Sequence, residues 1–219
     1  MNLPNKITLT RLLLIPIFVF FYLASFIPYG KLVAVIVFAA ACFTDFLDGK
    51  IARKYNLVTD LGKFLDAIAD KILVMSGLLL LVAVPVEPNI GLSAVGEVSK
   101  LAEPAIFPTY IGVVAAIVIL AREFIVSAFR QVAAAKGLVL AADIYGKIKA
   151  VFQFITLIFY FVYVFVIEEF YNAALQGWLT ANTVLSIVGY VLLATTVILT
   201  IVSGLKYILN NKQVLKNEK

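Results

Sequence analysis

The stretch TDFLDGKIARKYNLVTDLGKFLDAIADK, residues 44–71, places Asp45, Asp48, Asp66 and Asp70 close together in an otherwise apolar chain. Carboxylates bind hard metal ions, accept protons and pair with fixed cations. The chain has no histidine, and its single cysteine, Cys42, stands in an apolar run where it reads as a small hydrophobic filler. The four aspartates are therefore the obvious supply of metal ligands or of a general base. Helix geometry lets them meet. Asp45, Asp48, Gly49 and Ala52 lie at offsets of 0, 3, 4 and 7, which is one helical face, and Gly62, Asp66 and Asp70 recur every fourth residue on another.

The polar turn 55–59 joins these two helices into an antiparallel hairpin, so depth can be counted from the turn. Asp48 and Asp66 each lie about 9 Å in, and Asp45 and Asp70 about 13–15 Å in, at about 1.5 Å per residue. Two facing layers of carboxylate result. Four ionised carboxylates below a membrane surface repel one another and lose hydration. Arg53 stands near the mouth, and Lys71 is rotated about 100° from the acidic face. Hard divalent cations with oxygen ligands are the natural counter-charge; two Mg²⁺ or Mn²⁺ ions would balance four negative charges. Gly49, Ala52 and Gly62 leave room for a ligand to approach the backbone, and Arg53 is suited to grip phosphate with its planar fork.

The elements that must carry these residues are membrane helices. Of 219 residues, 63% are hydrophobic, and the mean hydropathy is +1.04, which excludes an ordinary soluble domain. The expected fold is an all-α integral membrane protein of one domain, 1–219, with six transmembrane helices near 8–27, 32–54, 60–84, 109–136, 144–167 and 181–209. The first apolar run is read as a membrane span rather than a cleaved signal, since it continues too far and lacks a small-residue cleavage site. All but Lys31 and Lys100 of the 18 Lys and Arg residues then fall on one side, so both termini and the acidic face are expected to be cytoplasmic. That basic face suits anionic headgroups or phosphorylated substrates. The outer loop 86–107 has no functional reading, and no nucleic-acid partner is expected. Trp178 and Tyr171 read as outer-side interfacial anchors, and Asp143 as a cap for the fifth helix.

The acidic stretch fills every fixed position of the pattern D-x-x-D-G-x-x-A-R, eight residues, G-x-x-x-D-x-x-x-D, with Asp45, Asp48, Gly49, Ala52, Arg53, Gly62, Asp66 and Asp70. It resembles the signature of the CDP-alcohol phosphotransferase family. NLPNKITLTRLLLIP (2–16), NLVTDLGKFLDAIADKIL (56–73), AREF (121–124) and YGKIK (145–149) extend the resemblance over most of the chain, towards bacterial members. The resemblance implies a six-helix fold, usually a homodimer, with a cytoplasm-facing polar cavity open to lipid. It also implies that an alcohol attacks a CDP-linked lipid and CMP leaves. Carried over by position, Asp45, Asp48 and Asp66 hold metal, and Asp70 reaches one ion and acts as general base. Gly49, Ala52, Arg53, Thr59 and Gly62 match positions cradling cytidine and diphosphate. Thr8 and Arg11, in a P-N-x-x-T-x-x-R pattern from Pro4, match an N-terminal contact to the same CDP-diacylglycerol.

The acceptor is read from fixed cations. Glycerol 3-phosphate carries a dianionic phosphate, and Arg122, Arg130, Lys147 and Lys149 on the fourth and fifth helices can form its pocket. Positive-inside bias alone accounts for Lys136 and competes as the explanation of Lys149. Glu123 reads as a partner for Arg122. The expected reaction is phosphatidyl transfer from CDP-diacylglycerol to glycerol 3-phosphate in a bacterial plasma membrane, among membrane lipids. Inositol phosphate, serine or phosphatidylglycerol are alternative acceptors. A cation or proton transporter is the alternative from another class, since buried carboxylates also mark ion pathways. Transporters of that kind usually show repeats or broken helices around a midplane site, and here the acids lie towards one side with no repeat.

Overall fold

The computed structural model describes residues 2–55, 59–84, 109–138, 140, 144–170 and 175–215. Among them the regular elements are helices: α1 Leu3–Leu23, α2 Gly30–Lys54, α3 Asp60–Ala83, α4 Thr109–Ala135, α5 Ile144–Phe170 and α6 Leu175–Asn210, followed by a 3₁₀ turn, Lys212–Leu215. The expected helices are all present, with shifted ends. α1 begins five residues before the expected Thr8 because Pro4 sits in its first turn, where its missing N–H costs nothing and its fixed φ is already helical. It stops at Leu23, short of the expected 27, as the chain turns before Pro28. α6 begins at Leu175 rather than 181. The expectations for Asp143, Tyr171 and the loop 86–107 lie outside the described residues, and so does the side chain of Trp178.

Among the described residues, five helices are long and apolar enough to cross a membrane: Leu3–Leu23, Gly30–Ile51, Tyr110–Ala135, Ile144–Glu169 and Thr183–Asn210. The sequence leads one to expect six. α3 differs although it has 24 residues, because Asp66, Asp70 and Lys71 stand in its middle. The helix that departs from an apolar composition is one that supplies candidate site residues.

The chain divides into two compact units, one of Met1–Ile106 with Leu157–Thr183 and the other of Phe107–Thr156 with Val184–Lys219. In the first, α1 packs against α2 and α3. The face of α1 that does so is Pro4, Asn5, Thr8, Arg11, Ile15, Phe18 and Tyr22, all buried. From Pro4 through Tyr22 the buried positions alternate in steps of four and three, with Asn5 beside them, as a helix packed along one stripe requires. The stripe is polar in its first half and apolar in its second. The apolar half is anchored by aromatic rings: Phe18 meets Phe38 at 5.0 Å and Phe161 at 5.1 Å between centroids, and Phe38 meets Phe161 at 5.0 Å. A side chain at Gly77 would crowd this cluster, its Cβ falling 3.3 Å from the Phe38 ring. Lys31 pairs with Glu168 and lies 5.3 Å from the Tyr22 ring centroid.

The second unit is built around Val126, Phe129, Ala133, Tyr207 and Val214, with Leu140 and Ile208 against them. Hydroxyls on its apolar helices are satisfied locally. The Thr156 and Thr196 hydroxyls share a hydrogen bond of 2.7 Å, and Thr200 Oγ1 donates to the Thr196 carbonyl at 2.7 Å. Such pairing is what keeps polar side chains tolerable in hydrocarbon.

Candidate active site

The polar half of the α1 stripe meets the acids of α2 and α3. Asp45, Asp48 and Asp66 each offer a carboxylate oxygen within 4.8 Å of the others. Two turns of α2 bring Asp45 and Asp48 to one side, and α3 supplies Asp66. The guanidinium of Arg11 lies among them. Its Nη1 is 2.7 Å from Asp45 Oδ1 and 3.2 Å from Asp66 Oδ1, while Nη2 donates to Asp48 Oδ2. Thr8 Oγ1, within 3.0 Å of Asp48 Oδ2 and 3.1 Å of the Pro4 carbonyl, shares its proton with both.

Exposure grades across the cluster. The Arg11 side chain is 0% exposed and that of Asp48 4%, against 30% for Asp45 and 54% for Asp66. A buried ion pair is stable only when each charge is matched, and Asp48 is matched by both Arg11 and Thr8. Asp66 is the most exposed of the three carboxylates. Asp70 stands one turn further along α3, half-buried, and both it and Asp45 act electrostatically on Cys42.

The three carboxylates fit a hard divalent ion. Mg²⁺ and Mn²⁺ take oxygen ligands, and Mg²⁺ binds them at about 2.0–2.1 Å, a spacing that small side-chain rotations reach from oxygens already within 4.8 Å. The sequence, which set Arg53 at the mouth and Lys71 off the acidic face, assigned the counter-charge to divalent ions; the structure adds a fixed one, Arg11, from a different helix. The side chains of Arg53 and Ala52 lie outside the described residues. Lys71 donates to the Ala67 carbonyl on its own helix, at 2.9 Å.

A second arrangement fixes where α3 begins. Thr59 is the N-cap, its Oγ1 accepting from the Gly62 N–H at 3.0 Å, which satisfies one of the otherwise unpaired amides of the first turn. Asn5 Nδ2 donates to the same Oγ1 at 3.0 Å, so α1 is tied to the start of α3. A Cβ at Gly62 would fall 2.5 Å from Asn5 Oδ1 and 3.0 Å from Thr59 Oγ1. The room at Gly62 is thus filled by Asn5, a residue to which sequence reasoning assigned no role. Its signal in the sequence was its fixed place in the P-N-x-x-T-x-x-R pattern from Pro4. Gly49, a position read as open to a ligand, is half-buried on α2.

The candidate acceptor residues belong to the second unit. Arg122 donates from Nη2 to Ser203 Oγ at 3.0 Å and approaches Glu123 Oε1 at 3.4 Å. Glu123 also accepts from Lys149 Nζ, and Lys149 is buried, a position that positive-inside bias does not explain. Arg130 Nε donates to the Tyr207 hydroxyl at 3.1 Å. Lys147 is exposed on the first turn of α5. Lys136 donates to the Val214 carbonyl at 2.8 Å, a structural contact.

Comparison with known proteins identifies the family. The family model described as CDP-alcohol phosphatidyltransferase matches residues 1–202. A protein of Bacillus subtilis (strain 168) named CDP-diacylglycerol–glycerol-3-phosphate 3-phosphatidyltransferase is 36% identical, over 98% of this chain and 97% of its own length. One of the same name from Rickettsia bellii is 33% identical, over 94% of this chain and 93% of its own. A probable phosphatidylglycerophosphate synthase of Mycobacterium tuberculosis is 31% identical, over 94% of this chain and 80% of its own. With the aspartate signature gathered in space and the match running through nearly the whole length, the chain belongs to the CDP-alcohol phosphatidyltransferase family.

Proposed function

We propose that this protein transfers the phosphatidyl group of CDP-diacylglycerol to glycerol 3-phosphate, forming phosphatidylglycerophosphate and releasing CMP. The observation that carries the proposal is the meeting of Asp45, Asp48 and Asp66 within 4.8 Å at the base of two helices bearing the family signature. The names of its relatives support the choice of both substrates.

In this reading Asp45, Asp48, Asp66 and Asp70 hold two Mg²⁺ or Mn²⁺ ions. Ions bound there supply charge neutralisation at the diphosphate and at the attacking oxygen, the main requirement of phosphoryl transfer. Thr8, Arg11, Gly49, Ala52, Arg53, Thr59 and Gly62 bind the nucleotide and its diphosphate. Asp48 is oriented by Thr8 and Arg11 and keeps its carboxylate fixed as the substrate arrives. The Asp70 carboxylate takes the proton of the glycerol 3-phosphate hydroxyl as that oxygen bonds to the phosphatidyl phosphorus. The bond from this phosphorus to the bridging oxygen breaks, and its electron pair leaves on CMP. Arg122, Arg130 and Lys147 bind the acceptor's phosphate, for which arginine forks are suited. The enzyme works as a homodimer in the bacterial plasma membrane, with its termini and reaction centre on the cytoplasmic side, as the distribution of basic residues favours.

The test is CMP release from CDP-diacylglycerol by the purified full chain, offered glycerol 3-phosphate, inositol phosphate, serine or phosphatidylglycerol in turn. Release with glycerol 3-phosphate alone is expected. Release only with another acceptor reassigns the substrate, and none with any acceptor overturns the proposal.

A further inference from the structure

Arg122 stands within a helix apolar enough to cross a membrane, where an arginine is costly unless its donors are met. How it is seated is visible in the second unit. Its stem lies against α6 at Gly204: a Cβ there would come 2.9 Å from Arg122 Cγ and 3.6 Å from Nε. On its other flank, a Cβ at Gly146 of α5 would lie 3.8 Å from Nη2, an ordinary contact. Gly204 is therefore the tight position. The atom it would strike is in the middle of the arginine side chain rather than at its mobile end, so an added methyl must displace the guanidinium.

The end of the side chain is held by the neighbouring residue. Arg122 Nη2 donates to Ser203 Oγ at 3.0 Å, while Ser203 Oγ donates to the Thr200 carbonyl at 3.1 Å. With its proton committed to the carbonyl, the hydroxyl faces the arginine as an acceptor only. Ser203 is 2% exposed. Among the described residues, Arg122 Nε is buried without a hydrogen-bond partner. The guanidinium is thus fixed by one neutral acceptor and by Glu123 at 3.4 Å, and its donor capacity is not exhausted.

We infer that Ser203 and Gly204 are positioning residues for the acceptor: one leaves the space and the other the hydrogen bond that set where Arg122 presents its guanidinium to a phosphomonoester. This deepens, and rests on, the proposed role of Arg122. A planar fork delivers its bidentate bonds only in a narrow range of orientations, so a seat that fixes orientation acts on affinity for the phosphate and not on the CDP-lipid.

The experiment measures CMP release by the full chain in lipid nanodiscs, varying glycerol 3-phosphate and CDP-diacylglycerol separately. Gly204→Ala and Ser203→Ala are each expected to raise KM for glycerol 3-phosphate about tenfold, the scale of one lost hydrogen bond to a charged group, with KM for CDP-diacylglycerol within about twofold. In an Arg122→Gln background neither should add to the effect, since residues acting through one group are not additive. Should Gly204→Ala fail to fold, Ser203→Ala, which removes a single oxygen, carries the test. If Arg122→Gln leaves KM for glycerol 3-phosphate unchanged, the proposed role of Arg122 falls and this inference with it. If Arg122→Gln raises KM while the α6 variants do not, raise both KM values alike, or add to Arg122→Gln, the inference alone is overturned.

Discussion

The Asn5 side-chain amide donates to Thr59 Oγ1 at 3.0 Å, and the two together occupy the volume in which a side chain on Gly62 would have to sit. One contact thereby joins the start of α1, the cap of α3 and a glycine of the family signature.

Gly62→Ala should break that contact. The added Cβ meets Asn5 Oδ1 at 2.5 Å, and overpacking of this kind costs about 1–3 kcal/mol. Thermal unfolding in detergent should show the loss, together with weaker binding of CDP. Replacing Asn5 by alanine in the same chain removes the obstructing oxygen. The double variant should then be more stable than the sum of the single losses; simple additivity would show that the clash is elsewhere.

Arg11→Gln removes the guanidinium from the buried Asp48, which the Thr8 hydroxyl still meets. Stripping one member from a buried pair costs about 3–5 kcal/mol, so in buffer containing a chelator the variant should unfold well before the parent. Added Mg²⁺ should raise its melting temperature by more than it raises the parent's, because the ion then supplies charge that the guanidinium no longer does. Equal Mg²⁺ responses would mean that Arg11 and the ion do not act on the same carboxylates.

Chelation should abolish CMP release, and Mg²⁺ or Mn²⁺ should restore it. Asp45→Asn and Asp66→Asn should each lower turnover by at least about 100-fold, the upper end of what loss of a supporting group at a metal site does. Asp70→Asn should lower kcat by about 10²–10⁴-fold, the contribution of a positioned base, while largely sparing binding of CDP. Turnover at the parent rate in that variant would remove the assigned role of Asp70.

Lys31 and Glu168 test the opposite kind of residue. Their side chains are 15% and 21% exposed, and the pair serves packing of the first unit. Lys31→Met should reduce stability by about 1.5–3 kcal/mol, as for a hydrogen bond to a charged group, and leave kcat and both KM values unchanged. A change in either KM would assign the pair a part in substrate binding.

Much of this was legible from spacing. Offsets of three and four along α2 and α3 put the acids on two faces, and the short turn 55–59 made those faces antiparallel, so the meeting of Asp48 with Asp66 followed from helix geometry alone. The partner of the acids did not follow. Periodicity tells which side of a helix a residue occupies, but not which neighbouring helix that side will meet; the pairing of Arg11 with Asp45, Asp48 and Asp66 was therefore not foreseen, and the counter-charge was sought in divalent ions. Lys149 was obscured for a related reason. Composition counts it among the cytoplasmic basic residues, whereas only packing reveals that it is buried and bound to Glu123. Ser203 and Gly204 carry no chemical signature of their own, and their roles exist only through the arginine they touch.

Hydropathy alone would class α1 as a generic tether, yet Asn5, Thr8 and Arg11 are buried within its first three turns. Exchanging it for another greasy segment of equal length would yield a chimera that still enters the bilayer but has lost the one guanidinium seen among Asp45, Asp48 and Asp66 and the amide that meets the cap of α3.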